Sequence, residues 1–324
     1  MFYIFGGEIL SKATTSKVSK ASRKKDFHLF LMALPGVAWF IIFKYIPMGG
    51  LLLAFKDFKI SPDGFLASFM SSEWVGLENF KFLFMTNDAY IITRNTVVYN
   101  VIWIALNLVL SVALAIGLNE IHNKKLSKVY QTGMIFPFFL SWVVASYFVF
   151  AFLSVDKGVV NKVLKHFGHE PIMWYMEPKY WPFILTIMNM WKGLGYSAVF
   201  YLAAICGIDT SYYEAAMIDG ATKWEQIKYI TLPLLSPVMT TLTLLAVGRI
   251  FYADFGLFYN VPRESGALFN ATNVIDTYVY RSFRQLGDVG MSSAAGFYQS
   301  IIGFILVLAS NKIVKKIDPD KALF

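Results

Sequence analysis

Residues Tyr212–Pro237 read YYEAAMIDGATKWEQIKYITLPLLSP, and their composition differs from what surrounds them. Most of the neighbouring sequence is apolar enough to lie in lipid. This stretch mixes Glu214, Asp219, Lys223, Glu225 and Lys228 with alanines and aromatics. Two capping boxes are legible in it. Ser211 precedes Glu214 by three residues, and Thr222 precedes Glu225 by three. Each pair predicts the start of a short helix. Gly220 lies between them, where a helix C-terminus needs a residue that tolerates positive φ. Pro233 is expected at or just past the end of the second helix. The stretch is predicted to be a polar helix-turn-helix set between two apolar runs.

Working outward, the 324 residues are 56% hydrophobic, 17% aromatic and 15% charged. A soluble domain carries roughly 25% charge. The deficit, with the long apolar runs, predicts an integral membrane protein that is all-α, a polytopic transmembrane helical bundle. The single cysteine, Cys206, excludes an intrachain disulfide and a cysteine-based metal cluster, and is expected to be a small buried residue. The net charge of +8 is not a nucleic-acid signature until the basic residues are placed relative to the membrane.

A hydrocarbon core of about 30 Å needs about 20 helical residues. Runs of that kind fall at 29–55, 93–118, 129–153, 180–205, 234–258 and 291–313, which predicts six spans. Pro137 is expected to kink the third and Gly193 with Gly195 to interrupt the fourth. Residues 1–28 read as a basic N-terminal tail without an evident signal peptide, 29–313 as the spanning domain, and 314–324 as a C-terminal tail. Outside, WVGLENFKFLF reads as amphipathic and VVNKVLKHFG as a short helix. Short segments rich in Lys and Arg belong in the cytoplasm. The tail (Lys12 to Lys25), the connector with Lys124, Lys125 and Lys128, and the C-terminus with Lys315 and Lys316 satisfy this with both termini inside. The topology is therefore N-in/C-in, and it puts the polar helix pair in the cytoplasm.

Glu214, Ala215, Ala216, Gly220, Ile230, Leu232 and Pro233 also form the pattern E-A-A, three residues, G, nine residues, I-x-L-P. This resembles the coupling loop of the membrane subunits of binding-protein-dependent ABC importers. The resemblance implies a type I importer permease fold in the bacterial inner membrane, covering about residues 30–316, with a coupling loop at 207–233. It assigns ATPase coupling to Tyr213, Glu214, Ala215, Ala216, Asp219, Gly220, Ile230, Leu232 and Pro233. It implies two ATPase subunits, a second permease and an extracytoplasmic solute-binding protein as partners. The chain has no Gly-Lys dipeptide and so no phosphate loop, which places ATP and Mg on the partner ATPases and no cofactor on this chain. The fuller phrase YYEAAMIDGATKW, the LPG at Leu34–Gly36 and the LPLLSP continuation resemble the oligosaccharide branch. Within it the chain is similar to the larger permeases of importers for alginate and other uronate oligosaccharides.

Charges inside spans are costly, about 2.5–3.5 kcal/mol near a helix centre by insertion scales. Lys192, Arg249 and Asp254 lie inside predicted spans, with Trp191, Tyr196 and Tyr252 beside them. These six are the candidate substrate path. Aromatic faces suit sugar C–H surfaces, and two cations against one acid suit an anionic oligosaccharide. Each aromatic is as readily bilayer packing, and Lys44 reads as snorkelling outward. Arg249 and Asp254 are five apart, about 140° around an ideal helix, so they do not pair on it. Neutral oligosaccharide transport and an ion-coupled secondary transporter using Asp254 stay open. His166 and His169 read as a solvated surface pair rather than a metal site.

Overall fold

The computed structural model describes residues 20–59, 61–81, 85–319 and 322. Most of the basic tail, residues 82–84 of the outer segment and Lys321 lie outside them. The chain divides into two compact units, Met1–Leu51 and Leu52–Phe324.

The first unit carries α1, Lys20–Phe40, prolonged by a wide turn over Ile41–Tyr45 that contains Lys44. Leu29–Phe55 is long and apolar enough to cross a membrane. The second unit opens on two short strands, β1 (Lys56–Asp57) and β2 (Glu73–Trp74), paired antiparallel with Lys56 opposite Trp74. They bracket α2, Phe65–Ser71. The all-α expectation needs this small amendment. Within WVGLENFKFLF, Trp74 is in β2 and Glu78–Phe80 makes a single tight turn, while residues 82–84 lie outside the described residues.

Then follow α3 (Asn87–Asn119), α4 (Lys124–Phe139), α5 (Trp142–Leu153), α6 (Val159–His166), α7 (Trp181–Cys206), α8 (Thr210–Ile218) and α9 (Lys223–Gln226). The chain ends with α10 (Leu232–Val247), α11 (Phe255–Asn260), α12 (Ile275–Arg281) and α13 (Val289–Ile317). Among the described residues four helices are long and apolar enough to span, or up to six if each bent pair counts as one.

Three span expectations are corrected. α4 and α5 meet at 99°, a break and not a proline kink. Leu140 and Ser141 are extended there, and Ser141 caps α5 by accepting from the Val144 N–H. α7 is not interrupted at Gly193 or Gly195. A Cβ at Gly195 would run into the Met134 carbonyl, so this glycine serves the close crossing of α4 on α7 and not a break. The predicted fifth span 234–258 is displaced. A continuous helical stretch runs Lys223–Val247, and the chain then unwinds before α11.

Two clusters hold α3 and α7 together along their length. Tyr99, Trp103, Trp181 and Leu185 pack with Val149 of α5 and Phe258 of α11. Nearer the polar helix pair, Val112, Ala115 and Leu118 pack with Tyr201, Leu202, Ile205 and Leu235. Outward-facing Phe, Ile, Leu and Val remain exposed on most long helices, as lipid-facing surface requires. Cys206 is exposed in this chain, not buried, because it falls in the last turn of α7.

Candidate functional site

The helix-turn-helix is present, with one change of detail. Asp209, not Ser211, caps α8, accepting from the Ser211 N–H at 2.9 Å. The helix therefore starts two residues earlier than the S-x-x-E box requires, at Thr210, and Glu214 is left exposed with no ion-pair partner among the described residues. The second box forms as read: Glu225 N–H donates to Thr222 Oγ1, and Thr222 N–H donates to Glu225 Oε2 at 2.7 Å. That bond holds the Glu225 carboxyl below its ordinary value. Gly220 has φ 79°. Its N–H reaches the Met217 carbonyl at 3.1 Å and Ala221 N–H reaches Ala216 O at 2.8 Å, a Schellman closure.

α9 does not stop at Pro233. Leu232 N–H reaches back five residues to Ile227 O, one residue further than in an α-helix. This wide turn over Ile227–Thr231 resets the bonding register just before Pro233, which then opens α10 where its missing N–H costs nothing. The pair is thereby fused to α10. Tyr213 of α8 shares a 2.9 Å hydrogen bond with Thr231 Oγ1, tying the first helix to that turn, and Leu232 packs against the cluster of Leu118, Ile205 and Leu235. Ala215 and Asp219 are exposed, Ala216 and Ile230 half-buried. The exposed side also presents Tyr212, Met217, Ile218 and Trp224; Ile218 is 87% and Trp224 69% exposed. A face that shows large apolar residues between charges is built to be covered.

The six path candidates divide. Lys192 lies mid-way along α7. Its Nζ donates to Phe138 O at 2.7 Å and sits 5.3 Å from both the Phe138 and Trp142 rings. Trp142 Nε1–H donates to Asp254 Oδ2 at 2.7 Å. Lys192, Trp142 and Asp254 thus form one cluster, with the indole between the two charges. Gly256 leaves room for that indole, since a Cβ there would strike it. Tyr196 stacks on Phe138 at 4.3 Å, nearly parallel. It also lines a cavity of about 340 Å³ with Asn100, Asn107, Asn189, Ser197 and Thr243. Tyr252 bonds Ser300 at 2.9 Å. Trp191 is not part of this group; it lines an apolar hollow with Phe136, Phe148 and Phe152. Arg249 is exposed, with no ion-pair partner among the described residues.

Arg249 and Asp254 do not share a helix at all, so the 140° reasoning does not apply. α10 ends at Val247 with Gly248 as its C-cap, and Asp254 caps α11 by accepting from the Leu257 N–H. Unwound backbone between apolar helices needs partners. Asn100 Nδ2 donates to Ile250 O and Tyr252 O, Gln299 Nε2 donates to Phe251 O at 2.7 Å, and Ala253 N–H donates to Asp276 Oδ2 at 2.7 Å. Burial raises the Asp276 carboxyl above its usual range, against the two bonds it accepts. Sequence reading missed Phe138, Trp142, Asn100, Asp276 and Gln299. The amides had a signal: Asn100 and Asn107 are seven apart in an apolar run, hence on one helix face.

A multi-span helical protein with a polar helix pair fused to a span, and with unwound polar backbone between apolar helices, is a permease by architecture. The chain belongs to the family of binding-protein-dependent transport system inner membrane components, which matches residues 107–318. It is 35% identical over 294 residues to the polygalacturonan/rhamnogalacturonan transport system permease YteP of Bacillus subtilis (strain 168), covering 89% of this chain and 88% of that one. Two solved structures are similar to it. One is a bacterial ABC transporter involved in import of the acidic polysaccharide alginate, with TM-score 0.82 and 31% identity over 92% of this chain and 98% of that one. The other is a bacterial alginate ABC transporter in complex with its alginate-pentasaccharide-bound periplasmic protein, with TM-score 0.82 and 30% identity over 93% and 98%. The chain is a multi-pass transport subunit of the ABC importer class.

Proposed function

We propose that the chain is one of two permease subunits of an ATP-driven importer of acidic oligosaccharides in the bacterial inner membrane. Six spans with both termini cytoplasmic are the reading of its apolar runs, with α4 and α5 counted as one broken span. α8 and α9 dock in a groove on a separate ATPase subunit that holds ATP and Mg. Glu214 and the exposed Tyr212, Ile218 and Trp224 face that partner. Because α9 continues into α10, a displacement of the docked pair moves α10 and the unwound segment behind it as one body. A second permease supplies the other half of the path, and a solute-binding protein delivers the sugar.

The observation that carries the acidic reading is Lys192. Its ammonium is held over two aromatic faces and one carbonyl, with no ion pair among the described residues. Asp254 is engaged by the Trp142 indole and by its own helix cap. That leaves a half-buried cation beside aromatic rings without a carboxylate of its own, which suits a uronate. The relatives named above for polygalacturonan and alginate, both acidic polymers, support the same reading.

The test is uptake into proteoliposomes by the complete importer with ATP inside, using oligogalacturonides and neutral galacto-oligosaccharides. Removing both cations, as Lys192→Met with Arg249→Met, is expected to lower acidic uptake by about tenfold, one charge-assisted contact. Neutral uptake is expected to change little. Equal loss for both sugars, or loss for neither, overturns the acidic assignment.

A further inference from the structure

Further along α5 from Trp142 lies a second cavity that the cluster above does not include. It measures about 240 Å³ and is lined by Ser146, Tyr147, Tyr259, Asn260, Arg263 and Glu264. α5 and α11 join it to the Lys192 cluster. Tyr147 follows Trp142 by five residues, and Tyr259 follows Asp254 by five, each a rise of about 7.5 Å. Trp142 and Asp254 touch, so the two helices leave that contact side by side and reach this cavity together. The lining is mostly polar and aromatic, unlike the apolar hollow beside Trp191.

The turn that closes the cavity is held in an unusual shape. Arg263 and Glu264 have φ of 57° and 51°, the only non-glycine residues with positive φ among those described. Long side chains rarely adopt this region, and two in succession need outside support. The support is visible. Val261 and Pro262 are buried, Arg263 N–H donates to Asn260 O at 3.2 Å, and Ser265 Oγ donates to Tyr175 O at 2.8 Å. The Arg263 guanidinium lies 4.1 Å from the Phe150 ring and has no ion-pair partner among the described residues. The neighbouring Glu264 lines the same cavity and makes no ion pair with that guanidinium among the described residues. Tyr259 is itself fixed, stacked on Phe255 at 4.9 Å and edge-on to Tyr280 at 5.2 Å.

We propose that this cavity is an outer subsite for a second uronate unit of the incoming oligosaccharide, in series with the Lys192 cluster. The Arg263 guanidinium pairs with the sugar carboxylate, and its planar fork matches that group in a way an ammonium does not. Asn260 and Ser146 take ring hydroxyls, and the Tyr147 ring packs on a sugar C–H face. The proposal rests on the reading that the chain passes acidic oligosaccharides. It adds that length as well as charge is read, since only a chain of more than one unit reaches both cations at once.

The experiment compares Arg263→Asn and Arg263→Lys in the complete importer, reconstituted with its binding protein and ATPases. Asn tolerates left-handed backbone and so removes the charge without disturbing the turn. Uptake is measured against concentration for mono-, di-, tri- and tetragalacturonate. Arg263→Asn is expected to raise the half-saturating concentration roughly fivefold for tri- and tetragalacturonate, the scale of a partly exposed ion pair. Mono-galacturonate uptake and substrate-free ATP turnover are expected to stay as in the wild type, and Arg263→Lys to recover only part of the loss, since it restores the charge without the fork. Wild-type uptake of all the galacturonates with no length-dependent change in Arg263→Asn overturns the subsite alone. A wild-type importer that takes up none of them overturns the acidic reading and the subsite together.

Discussion

At the scale of single residues, two glycines carry opposite kinds of necessity. Gly195 is needed for space, because the Met134 carbonyl occupies the volume of any side chain there. Gly195→Leu is expected to push α4 off α7 and destabilise the protein by about 1–3 kcal/mol or more. The measurement is the heat-unfolding midpoint of the detergent-solubilised protein. Gly220 is needed for backbone shape, since nothing lies near its missing Cβ and its φ is 79°. Gly220→Pro cannot take that angle, so it is expected to leave the span helices folded but to separate ATP hydrolysis from uptake. Coupled transport at wild-type yield per ATP in that variant would remove the hinge from the mechanism. Residue types alone pointed to Gly220, through its place between two capping sequences. They gave the wrong reason for Gly195, because a glycine that breaks a helix and one that admits a neighbouring helix look alike in a sequence.

At the scale of elements, the unwound segment between α10 and α11 is held by side chains from three other helices. Asn100 of α3, Asp276 of α12 and Gln299 of α13 satisfy its backbone. Asn100→Leu or Gln299→Leu leaves carbonyls without donors at membrane depth, an expected loss of about 1–3 kcal/mol each. Denaturant titration of the purified chain reads this directly. Thr222→Ala acts more locally, removing a helix cap worth about 1 kcal/mol. Amide exchange is expected to speed up at Lys223–Gln226 and to stay unchanged in α3. The Glu225 half of that cap also sets a pH expectation. Its carboxyl is lowered by the Thr222 backbone bond, so the cap is complete above the ordinary glutamate value and is lost only as pH falls through the lowered one. Exchange at this helix, corrected for intrinsic rate, is expected to stay constant from about pH 7 to about pH 5.

At the scale of the whole molecule, the continuous helix from Lys223 to Val247 is the element that joins the docking pair to the candidate path. Lys223 also meets Glu120 at the end of α3, at 3.3 Å. The Lys223 side chain is 65% and the Glu120 side chain 39% exposed, and ion pairs that open to solvent contribute within about 1 kcal/mol. Glu120→Gln is therefore expected to leave uptake within about twofold of wild type, a bound that separates this pair from the fused helix as the transmitting part. Energy coupling is tested on the same scale. Uptake in the reconstituted importer is expected to require enclosed ATP and to ignore an imposed proton or sodium gradient. Transport that follows the gradient without ATP would favour the secondary-transporter alternative.

The sequence by itself determined the apolar runs, the existence of a polar helix pair between two of them, its second cap and its glycine closure. These depend on spacing within a few residues, and local hydrogen bonds obey local sequence. It also determined which intramembrane residues are expensive enough to need explaining. Only the tertiary structure decided that the third run breaks at 99° and that Lys223–Val247 is one helix through Pro233. It alone decided that Arg249 and Asp254 sit on unwound backbone. Those outcomes turn on partners distant in sequence. Asn100 meets Tyr252, Gln299 meets Phe251, and Trp142 meets Asp254, each across more than forty positions. A helix in an apolar run is the default because its backbone satisfies itself, and departures from it are stable only where another element supplies the missing donors. The polar pair at Tyr212–Pro237 could be read locally. The cluster around Lys192 needed α4, α5, α7 and α11 to be brought to one place.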